Sequence, residues 1–310
     1  MRVRSILAIL LTFMTISLQA QQALTADPTP DKTNPATMES FQLPSHGALL
    51  NALIYIASGA GPHPTVLLLH GFPGNERNLD LAQTLRRAGY NVLYFNYRGS
   101  WGSPGDFSFT HCIEDTQAAI AYLHNPANAA KFRTDPNHLI LMGHSMGGMV
   151  ASIVASQEPP DTPVKAIALI SAANMGGFAL PAEGHLVPAA ITPIAAHLAA
   201  EGMAPLAGCT PESLARELIL NATAWDIPSL APKLARTPSS SSPPTTASPN
   251  PSSNSPKNSP PSTIPKSPAS TSPPTTPGPT TASPSRPPSS PSSNPPLAPK
   301  CCQPPIAPNS

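Results

Sequence analysis

Short apolar runs alternate with amphipathic segments through the first half of the chain. A short apolar run is typical of a buried strand, whereas apolar residues spaced three or four positions apart are typical of a helix. The predicted strands are Ala52–Ile56, Thr65–Leu69, Asn91–Phe95, Leu139–Met142 and Lys165–Ser171, and the predicted crossover helices are Leu79–Arg87 and Ile113–Leu123. Buried strands joined by helices favour an α/β domain with a mostly parallel sheet.

Beyond the last predicted strand the pattern changes. Residues 175–226 are rich in alanine and follow a helical periodicity. Thr210 suits an N-cap position, Pro211 suits the first turn, and Glu212 places an acid near the positive end of the helix dipole. A helix is therefore predicted from this point to Asn221.

The run that ends at Met142 leads directly into Gly143-His144-Ser145-Met146-Gly147. A strand that turns sharply into a helix at a serine needs glycine two residues to either side, because a side chain there would collide across the turn. Such a turn exposes the serine hydroxyl above the sheet. The pattern therefore predicts a nucleophilic serine at Ser145, and it favours a packing role for His144.

Two further loops follow predicted strands. One is His70-Gly71-Phe72-Pro73-Gly74, and the other is Asn96-Tyr97-Arg98-Gly99-Ser100-Trp101-Gly102-Ser103-Pro104-Gly105. Together with the serine turn they resemble the α/β-hydrolase superfamily, in particular secreted bacterial esterases and serine-aminopeptidase-like hydrolases. The resemblance covers roughly residues 41–236.

This resemblance implies an α/β-hydrolase fold in which residues 39–236 form the domain and residues 175–226 form a small helical cap. It implies that the backbone amides of Phe72 and Met146 make the oxyanion hole. His70, Gly71 and Trp101 are expected to line the substrate site, with a hydrophobic anchor of the loop as the alternative role of Trp101. His70 is interpreted as a support for the loop through its side chain, with a role as the catalytic base as the alternative. No metal or other cofactor is implied.

Charge and cysteine content limit the classes of partner. The net charge is +1 and only 11% of residues are charged, which argues against nucleic acid and against an anionic membrane surface. The resemblance to a hydrolase implies a small-molecule or peptide substrate. Cys112 and Cys209 could pair in an exported protein, although two free thiols are the default expectation. Cys301 and Cys302 lie in the tail.

The amino terminus has the composition of a secretory signal peptide over residues 1–20, with Arg2 and Arg4 before the apolar stretch Ile6–Leu18. That stretch is too short for stable membrane insertion. Residues 21–38 are expected to form a disordered lead-in. The predicted location is secreted or periplasmic.

From residue 237 to residue 310 the chain is dominated by Ser, Pro, Thr and Ala, and this segment holds more than half of the 44 prolines. The composition predicts a disordered tail. In the superfamily the order of the triad is Ser, then Asp or Glu, then His, yet the last acidic residue is Asp226 and the last histidine is His197. The tail therefore stands where the C-terminal strands and the other two triad residues are expected.

Two explanations remain open: a natural Pro/Ser/Thr-rich stalk, or a reading-frame shift near Arg236. Shifted by one nucleotide, the codons of residues 239–249 permit LLLLTANDGLA, a strand and a loop with aspartate in place of Thr246. Those of residues 275–284 permit DHSWSDHRIA, with histidine in place of Thr276. Codon degeneracy allows other translations, so the match is permitted and not forced.

The sequence thus predicts a serine hydrolase that acts on an ester, thioester or peptide carbonyl through an acyl-enzyme. Activity of this chain is expected to be impaired, because the triad Asp and His are absent. The alternative is a non-catalytic secreted protein with a degenerate hydrolase fold and a tail used for interaction or attachment.

Overall fold

The structure is a computed structural model that describes residues 21–159 and 164–235, together with the backbone of residues 239–241. The strands are β1 (Thr37–Ser45), β2 (Ala48–Ile56), β3 (His63–Leu69), β4 (Asn91–Phe95), β5 (Thr134–His144), β6 (Val164–Ile170) and β7 (Ser239–Ser241). The helices are α1 (Leu79–Arg87), α2 (Phe109–His124), α3 (Pro126–Phe132), α4 (Met146–Gln157), α5 (Met175–Ala179), α6 (Pro188–Ala200), α7 (Pro211–Leu220) and α8 (Ile227–Leu234), with a 3-10 turn at Leu180–Ala182.

These strands form one mixed sheet in the order β1-β2-β4-β3-β5-β6-β7. β1 pairs antiparallel with β2, and β2 pairs antiparallel with β4. From β4 onward every pairing is parallel. The predicted α/β-hydrolase fold with a mostly parallel sheet is confirmed.

Two apolar clusters cover the two faces of the sheet. The larger one joins the sheet to α2, α4 and the helices beyond β6, and it includes Phe95, Phe109, Leu141 and Val150. The smaller one packs α1 on the other face and includes Val66, Leu68, Ala82 and Val92. Parallel strands covered on both faces read as continuous apolar runs, which explains why β3 and β4 were identifiable from the sequence.

The segment expected to be a disordered lead-in differs from that prediction. The Asp31 N–H donates to Ser58 Oγ (3.2 Å), and the Gly59 N–H donates to the Asn34 carbonyl (2.9 Å). Asp27 forms ion pairs with two arginines of α1. The segment is therefore hydrogen-bonded to the domain, because its short polar side chains close local turns and reach neighbouring loops.

The tail also differs from its prediction at one place. Ser239–Ser241 pairs parallel with β6, with Ser239 opposite Ile167 and Ser241 opposite Leu169. The expectation that no secondary structure follows residue 237 is therefore wrong for these three residues, because backbone N–H and C=O groups can extend a sheet edge whatever the side chains are. The predicted signal peptide, at residues 1–20, and the predicted tail from residue 242 on lie outside the described residues.

The helices predicted as a cap follow β6. α7 begins as predicted: Thr210 caps it and exchanges hydrogen bonds with Ser213, and Pro211 is its first residue. The segment just before α7 is tied to the loop after β4, since the Trp101 N–H donates to the Pro205 carbonyl (3.0 Å) and the Phe107 N–H to the Ala207 carbonyl (2.8 Å). These bonds hold the helical segment over the loop that follows β4.

Candidate active site

Ser145 lies at the junction of β5 and α4, where the chain turns sharply from strand to helix. Its backbone has φ 54° and ψ −121°, a conformation that L-residues rarely adopt. A methyl group added to Gly143 would overlap the carbonyl group of Gly147, and one added to Gly147 would overlap the Leu69 carbonyl oxygen. Only glycine fits at these two positions. At Gly143 the cause is the predicted collision across the turn, whereas at Gly147 it is the neighbouring strand β3.

The turn is fixed by backbone hydrogen bonds on its β6 side. The Ser145 N–H donates to the Ile170 carbonyl (3.1 Å), and the Ser145 carbonyl accepts from Gly148 and Ala173 (both 2.9 Å). The serine side chain is half-buried. Within the described part of the chain Ser145 Oγ has no hydrogen-bond partner, so its hydroxyl is free to meet a ligand.

The predicted oxyanion loop lies directly beside this serine. A methyl group on Gly71 would stand 3.0 Å from Ser145 Cβ and 3.2 Å from the His144 carbonyl oxygen. Glycine at this position therefore lets the loop approach the serine closely. Neither the Phe72 N–H nor the Met146 N–H donates a hydrogen bond inside the described ranges, which leaves both available to an oxyanion.

His70 is buried beneath the oxyanion loop, with 1% of its surface exposed. Its Nδ1 lies 2.8 Å from the Gly71 carbonyl oxygen. Because a carbonyl only accepts, Nδ1 carries the proton and Nε2 is the unprotonated nitrogen. The ring packs on Tyr97, with the ring centroids 4.5 Å apart. Burial lowers the pKa of His70 to about 4, so the side chain is neutral at physiological pH.

The His70 hydrogen bond acts on the peptide group that matters most for an oxyanion hole. The Gly71 carbonyl and the Phe72 N–H belong to the same planar peptide unit. Holding the carbonyl on Nδ1 therefore fixes the direction of the N–H at the opposite side of that plane. This geometry favours the interpretation of His70 as a support for the loop over the alternative of a base.

Trp101 connects three segments around the site. Its indole Nε1 donates to the Pro73 carbonyl (2.9 Å), and its backbone has φ 48°. A methyl group on Gly74 would stand 2.6 Å from Nε1 and 2.8 Å from His70 Nδ1. The guanidinium of Arg77 stacks 4.5 Å from the indole centroid. Sequence reasoning missed Arg77, and the available signal was a cation in the loop that follows β3.

A buried ion pair anchors the loop after β4 and was also missed. The fully buried Asp115 accepts from Arg98 Nε (2.7 Å), the Arg98 N–H (2.8 Å) and Ser45 Oγ (2.6 Å). Arg98 also pairs with Glu114. The buried carboxylate is satisfied by several donors, which is the condition under which a buried charge is tolerated. Its role is to hold the base of the loop that carries Trp101.

The described residues place no acid or histidine on Ser145 Oγ. Asp226 accepts from Asn174 Nδ2 (2.7 Å) and from Ser229 Oγ (2.5 Å), which lowers the pKa of its carboxyl group and makes it the N-cap of α8. His197 stacks on Phe178, with the ring centroids 5.2 Å apart, and His185 Nδ1 donates to the Glu183 carbonyl (2.8 Å). These candidate partners are engaged elsewhere.

An apolar groove of about 540 Å³ lies in the cap segment. Its lining includes Phe178, Ala182, Val187, Ala190 and Ile194. Phe178 and Val187 expose about half of their surface. The segment that carries the groove begins close to the serine in the chain. The Ala173 N–H donates to the Ser145 carbonyl, and α5 starts two residues later.

The described residues also bear on metal binding, on the cysteines and on membrane insertion. Across residues 21–159 and 164–235 no group of three or more His, Cys, Asp or Glu side chains could hold a metal ion. Cys112 is buried and Cys209 half-buried, and both are free thiols. None of the helices in the described ranges combines the length and apolar character that a membrane span requires.

The fold and the serine turn define an α/β hydrolase. A model of the α/β hydrolase fold family matches residues 64–264, and the chain belongs to this family. The match confirms the resemblance seen in the motifs. It continues beyond Arg236, where the sequence-based resemblance was expected to stop.

Individual relatives cover only part of the molecule. An uncharacterised protein of Mycobacterium tuberculosis is 30% identical over 159 residues, which are 50% of this chain and 55% of that protein. A lysophosphatidylserine lipase of Gallus gallus is 31% identical over 116 residues, which are 35% of this chain and 28% of that protein. The chain spans about half the length, or less, of these curated relatives.

Solved structures with a similar fold include an α/β hydrolase of a Penicillium species, at 18% identity and a TM-score of 0.48, covering 68% of this chain and 81% of that one. Another is a thermostable carboxylesterase cloned from a metagenomic library, at 18% identity and a TM-score of 0.45, covering 73% and 84%. The family assignment rests on the family match.

Proposed function

We propose that the protein is a serine hydrolase that attacks an ester, thioester or peptide carbonyl with Ser145. The observation that carries the proposal is the strained Ser145 backbone at the β5–α4 turn, with Gly71 of the neighbouring loop against its Cβ. Strain of this kind costs about 1–3 kcal/mol and persists only where the surroundings enforce it. The name of the Gallus gallus relative favours an ester among the three carbonyl classes.

In the proposed reaction Ser145 Oγ attacks the carbonyl carbon and forms a tetrahedral intermediate. The Phe72 and Met146 amides stabilise the negative charge on the oxygen, and His70 holds the loop that carries the first of them. Collapse of the intermediate expels the alcohol, thiol or amine and leaves an acyl-enzyme. Water then releases the acid and restores the serine.

Two protons must move in this reaction: the Ser145 hydroxyl loses one during attack, and the leaving group gains one when the intermediate collapses. Both transfers need a base near Ser145 Oγ, and we propose that this chain is impaired because it lacks one. No histidine follows His197 in the sequence, and no acidic residue follows Asp226. Both residues are engaged in the cap by other contacts. Without triad partners the remaining catalysis comes from binding and the oxyanion hole, at a cost of about 10⁴ to 10⁶ in rate.

A reading-frame shift near Arg236 is the preferred explanation for the missing partners, with a natural stalk as the alternative. The shifted reading permits four leucines at residues 239–242, and Ser239–Ser241 is the segment that pairs with β6. It also permits aspartate and histidine at the places of Thr246 and Thr276, thirty positions apart. The pairing of Ser239–Ser241 with β6 supports a strand at the place of the four leucines.

The composition of residues 1–20 supports export of the protein, so the proposed site of action is secreted or periplasmic. Fusion of these residues to a reporter without a leader of its own tests this. Export of the reporter supports the proposal, and retention in the cytoplasm contradicts it.

The nucleophile is tested with a fluorophosphonate probe, which labels only an activated serine. The comparison uses the chain as it stands, a frame-restored version, and Ser145→Ala in each. Ser156→Ala is the matched control, because Ser156 lies on the same helix and its Oγ donates only to the Ile153 carbonyl. We expect labelling of the restored protein at Ser145, loss in Ser145→Ala, and no change in Ser156→Ala.

A folded, frame-restored protein that the probe does not label would overturn the nucleophile assignment. Rapid hydrolysis of a p-nitrophenyl ester by the chain as it stands, lost in Ser145→Ala, would overturn the proposed impairment. If neither version reacts, the non-catalytic alternative is favoured, in which the fold serves interaction or attachment.

A further inference from the structure

Arg77 is an unpaired cation in the loop that carries the Phe72 amide. It is half-buried, yet in the part of the chain that the structure describes its guanidinium has no hydrogen-bond acceptor and no acidic partner. The neighbouring acid, Glu76, accepts instead from the Asn78 N–H (2.7 Å). A guanidinium carries several N–H donors in one plane, so this residue has unused donor capacity.

The other arginines that the described residues bury at least partly all have oxygen acceptors. Arg86 and Arg87 share the carboxylate of Asp27. Arg98 pairs with Asp115, and Arg133 donates to two backbone carbonyls. Among these arginines of the described residues, Arg77 is therefore the one whose donors are left open to solvent or to a ligand.

The guanidinium carbon of Arg77 lies over the indole ring of Trp101, 4.5 Å from the ring centroid. The indole is itself held by its Nε1 hydrogen bond to Pro73 and by the bond from its N–H to Pro205. A cation–π contact of this kind uses none of the N–H donors, and in the described ranges the Arg77 guanidinium makes no hydrogen bond, so its donors stay available. The arrangement orients a planar donor set before any ligand arrives, which reduces the entropy lost on binding.

The position of this pair relates it to Ser145. Arg77 and Trp101 lie in the loops after β3 and β4, and Ser145 follows β5, which pairs with β3 on its other side. All three loops leave the same edge of the sheet. Pro73, which accepts from the indole, is the residue after Phe72. The pair therefore flanks the oxyanion loop on the β4 side of the serine.

We propose that Arg77 and Trp101 form a subsite for an anionic group, a carboxylate or a phosphate monoester, on the substrate of the Ser145 site. The guanidinium edge binds two oxygens of the anion, as planar bidentate recognition requires. This assignment rests on the proposed function for its meaning as a substrate subsite. Binding of the anion itself does not depend on the chemistry of Ser145.

The test follows tryptophan fluorescence while the full chain is titrated with phenyl phosphate, monomethyl succinate or neutral dimethyl succinate. Only two tryptophans are present, and Trp225 is buried against Phe109, which itself packs on Phe72 of the oxyanion loop. The titrations therefore use Trp225→Phe as the background, so that Trp101 is the sole fluorophore. We expect a saturable change with the two anions and none with the neutral ester. The anion that binds more tightly identifies the group for which the subsite is suited.

Arg77→Gln should weaken binding of both anions about 10-fold or more, and Arg77→Lys should retain part of it because the charge remains without the planar donor pair. Arg216→Gln is the control, since Arg216 is an exposed arginine elsewhere on the surface. Ser145→Ala should bind the anions as the parent does, which separates this result from failure of the nucleophile. Near-ultraviolet circular dichroism verifies that each variant keeps its packed aromatic residues.

Equal binding of the anions by Arg77→Gln and the parent would overturn the proposal. So would equal binding of the charged and neutral succinate esters, or no binding of either anion to the folded chain. Unchanged affinity in 0.5 M salt would also contradict it, because an ion pair at a half-exposed site is screened at about that ionic strength.

Discussion

The two sides of Ser145 are built differently. On the side of β3 and β4 the strands are buried over nearly their whole length, from Thr65 to Leu69 and from Asn91 to Phe95. On the other side, only Val164 and Ile167 of β6 are buried, and β7 is three residues long. The smaller apolar cluster reaches Ile140 and Met142 of β5 and includes no described residue of β6.

This difference separates two parts of the proposed chemistry. The groups that stabilise charge on an oxyanion come from the loops after β3 and β5, and those loops are locked by glycine contacts, His70 and Trp101. The groups that move protons are expected after β7, at the places of Thr246 and Thr276. A chain can therefore complete the electrostatic part of the site while the proton-transfer part is missing.

The largest expected effect comes from adding the missing residues on the β6 side of Ser145. Restoring the frame after Arg236 should raise the rate of p-nitrophenyl ester hydrolysis by about 10⁴ to 10⁶, because a base and its orienting acid are added. Initial rates of the two purified proteins measure this. A restored protein that is folded but no faster would show that the two sides do not differ in the way described.

Substitution of two adjacent glycines allows a direct comparison of the β3 side with the β6 side. A methyl group on Gly147 would overlap the backbone of Leu69 in β3, whereas one on Gly148 would lie 2.5 Å from the Ala172 side chain, after β6. We expect Gly147→Ala to lower the free energy of unfolding by about 3–5 kcal/mol and Gly148→Ala by about half of that, because the β6 side can shift. Urea denaturation provides the values, and equal losses would contradict the comparison.

Titration of His70 should make the stability of the β3 side of the site depend on pH. Its pKa is about 4 in the folded chain and near 6.5 when unfolded, so as the pH falls the unfolded chain binds the proton first. The stabilising contribution is complete above pH 6.5 and is lost as the pH falls toward 4. Between pH 7 and pH 5 the loss amounts to roughly 2 kcal/mol.

His70→Asn keeps a donor near the position of Nδ1 but does not titrate. The variant should be less stable than the parent at pH 7, because the smaller side chain leaves a cavity, and its stability should fall less between pH 7 and pH 5. Urea midpoints at the two pH values measure the difference. Parallel pH dependences in parent and variant would refute the assignment to His70.

The smallest effect is expected at Trp101. Trp101→Phe removes the hydrogen bond to the Pro73 carbonyl and should cost about 1 kcal/mol of unfolding free energy. Thermal denaturation, with Trp225→Phe as the comparison, gives the value. A loss of unfolding free energy well above that value would mean that the indole stabilises the loops after β3 and β4 by more than its hydrogen bond.

The sequence predicted the elements whose patterns are local. α1 and β4 were predicted with the bounds observed, and the glycines around Ser145 were identified by their steric requirement. β1 was missed because the less exposed positions of the strand include the polar Glu39 and Ser45 beside Phe41 and Leu43, so no apolar pattern marks it. The predictable part of the site is thus the part that a local sequence pattern marks.

The remaining features depend on partners that are distant in the sequence. Nothing near Asp31 indicates that Ser58 will accept its N–H, and the stacking of Arg77 on Trp101 joins two loops that follow different strands. β7 consists of serines, which carry no strand signal in their side chains. Pairings of this kind appear only once the topology is known.

The Asp115 carboxylate has a consequence for the order in which the domain assembles. Its donors come from β1 and from the loop after β4, while the carboxylate itself lies on α2, up to 70 residues away in the chain, so the groups are together only when all three segments have docked. A partly assembled chain would hold this charge without its donors, which disfavours intermediates in which one segment is detached. We therefore expect the hairpin of β1 and β2 and the tryptophan-bearing loop to open as one cooperative unit, so that the amide of Arg98 exchanges with solvent only when that whole unit unfolds.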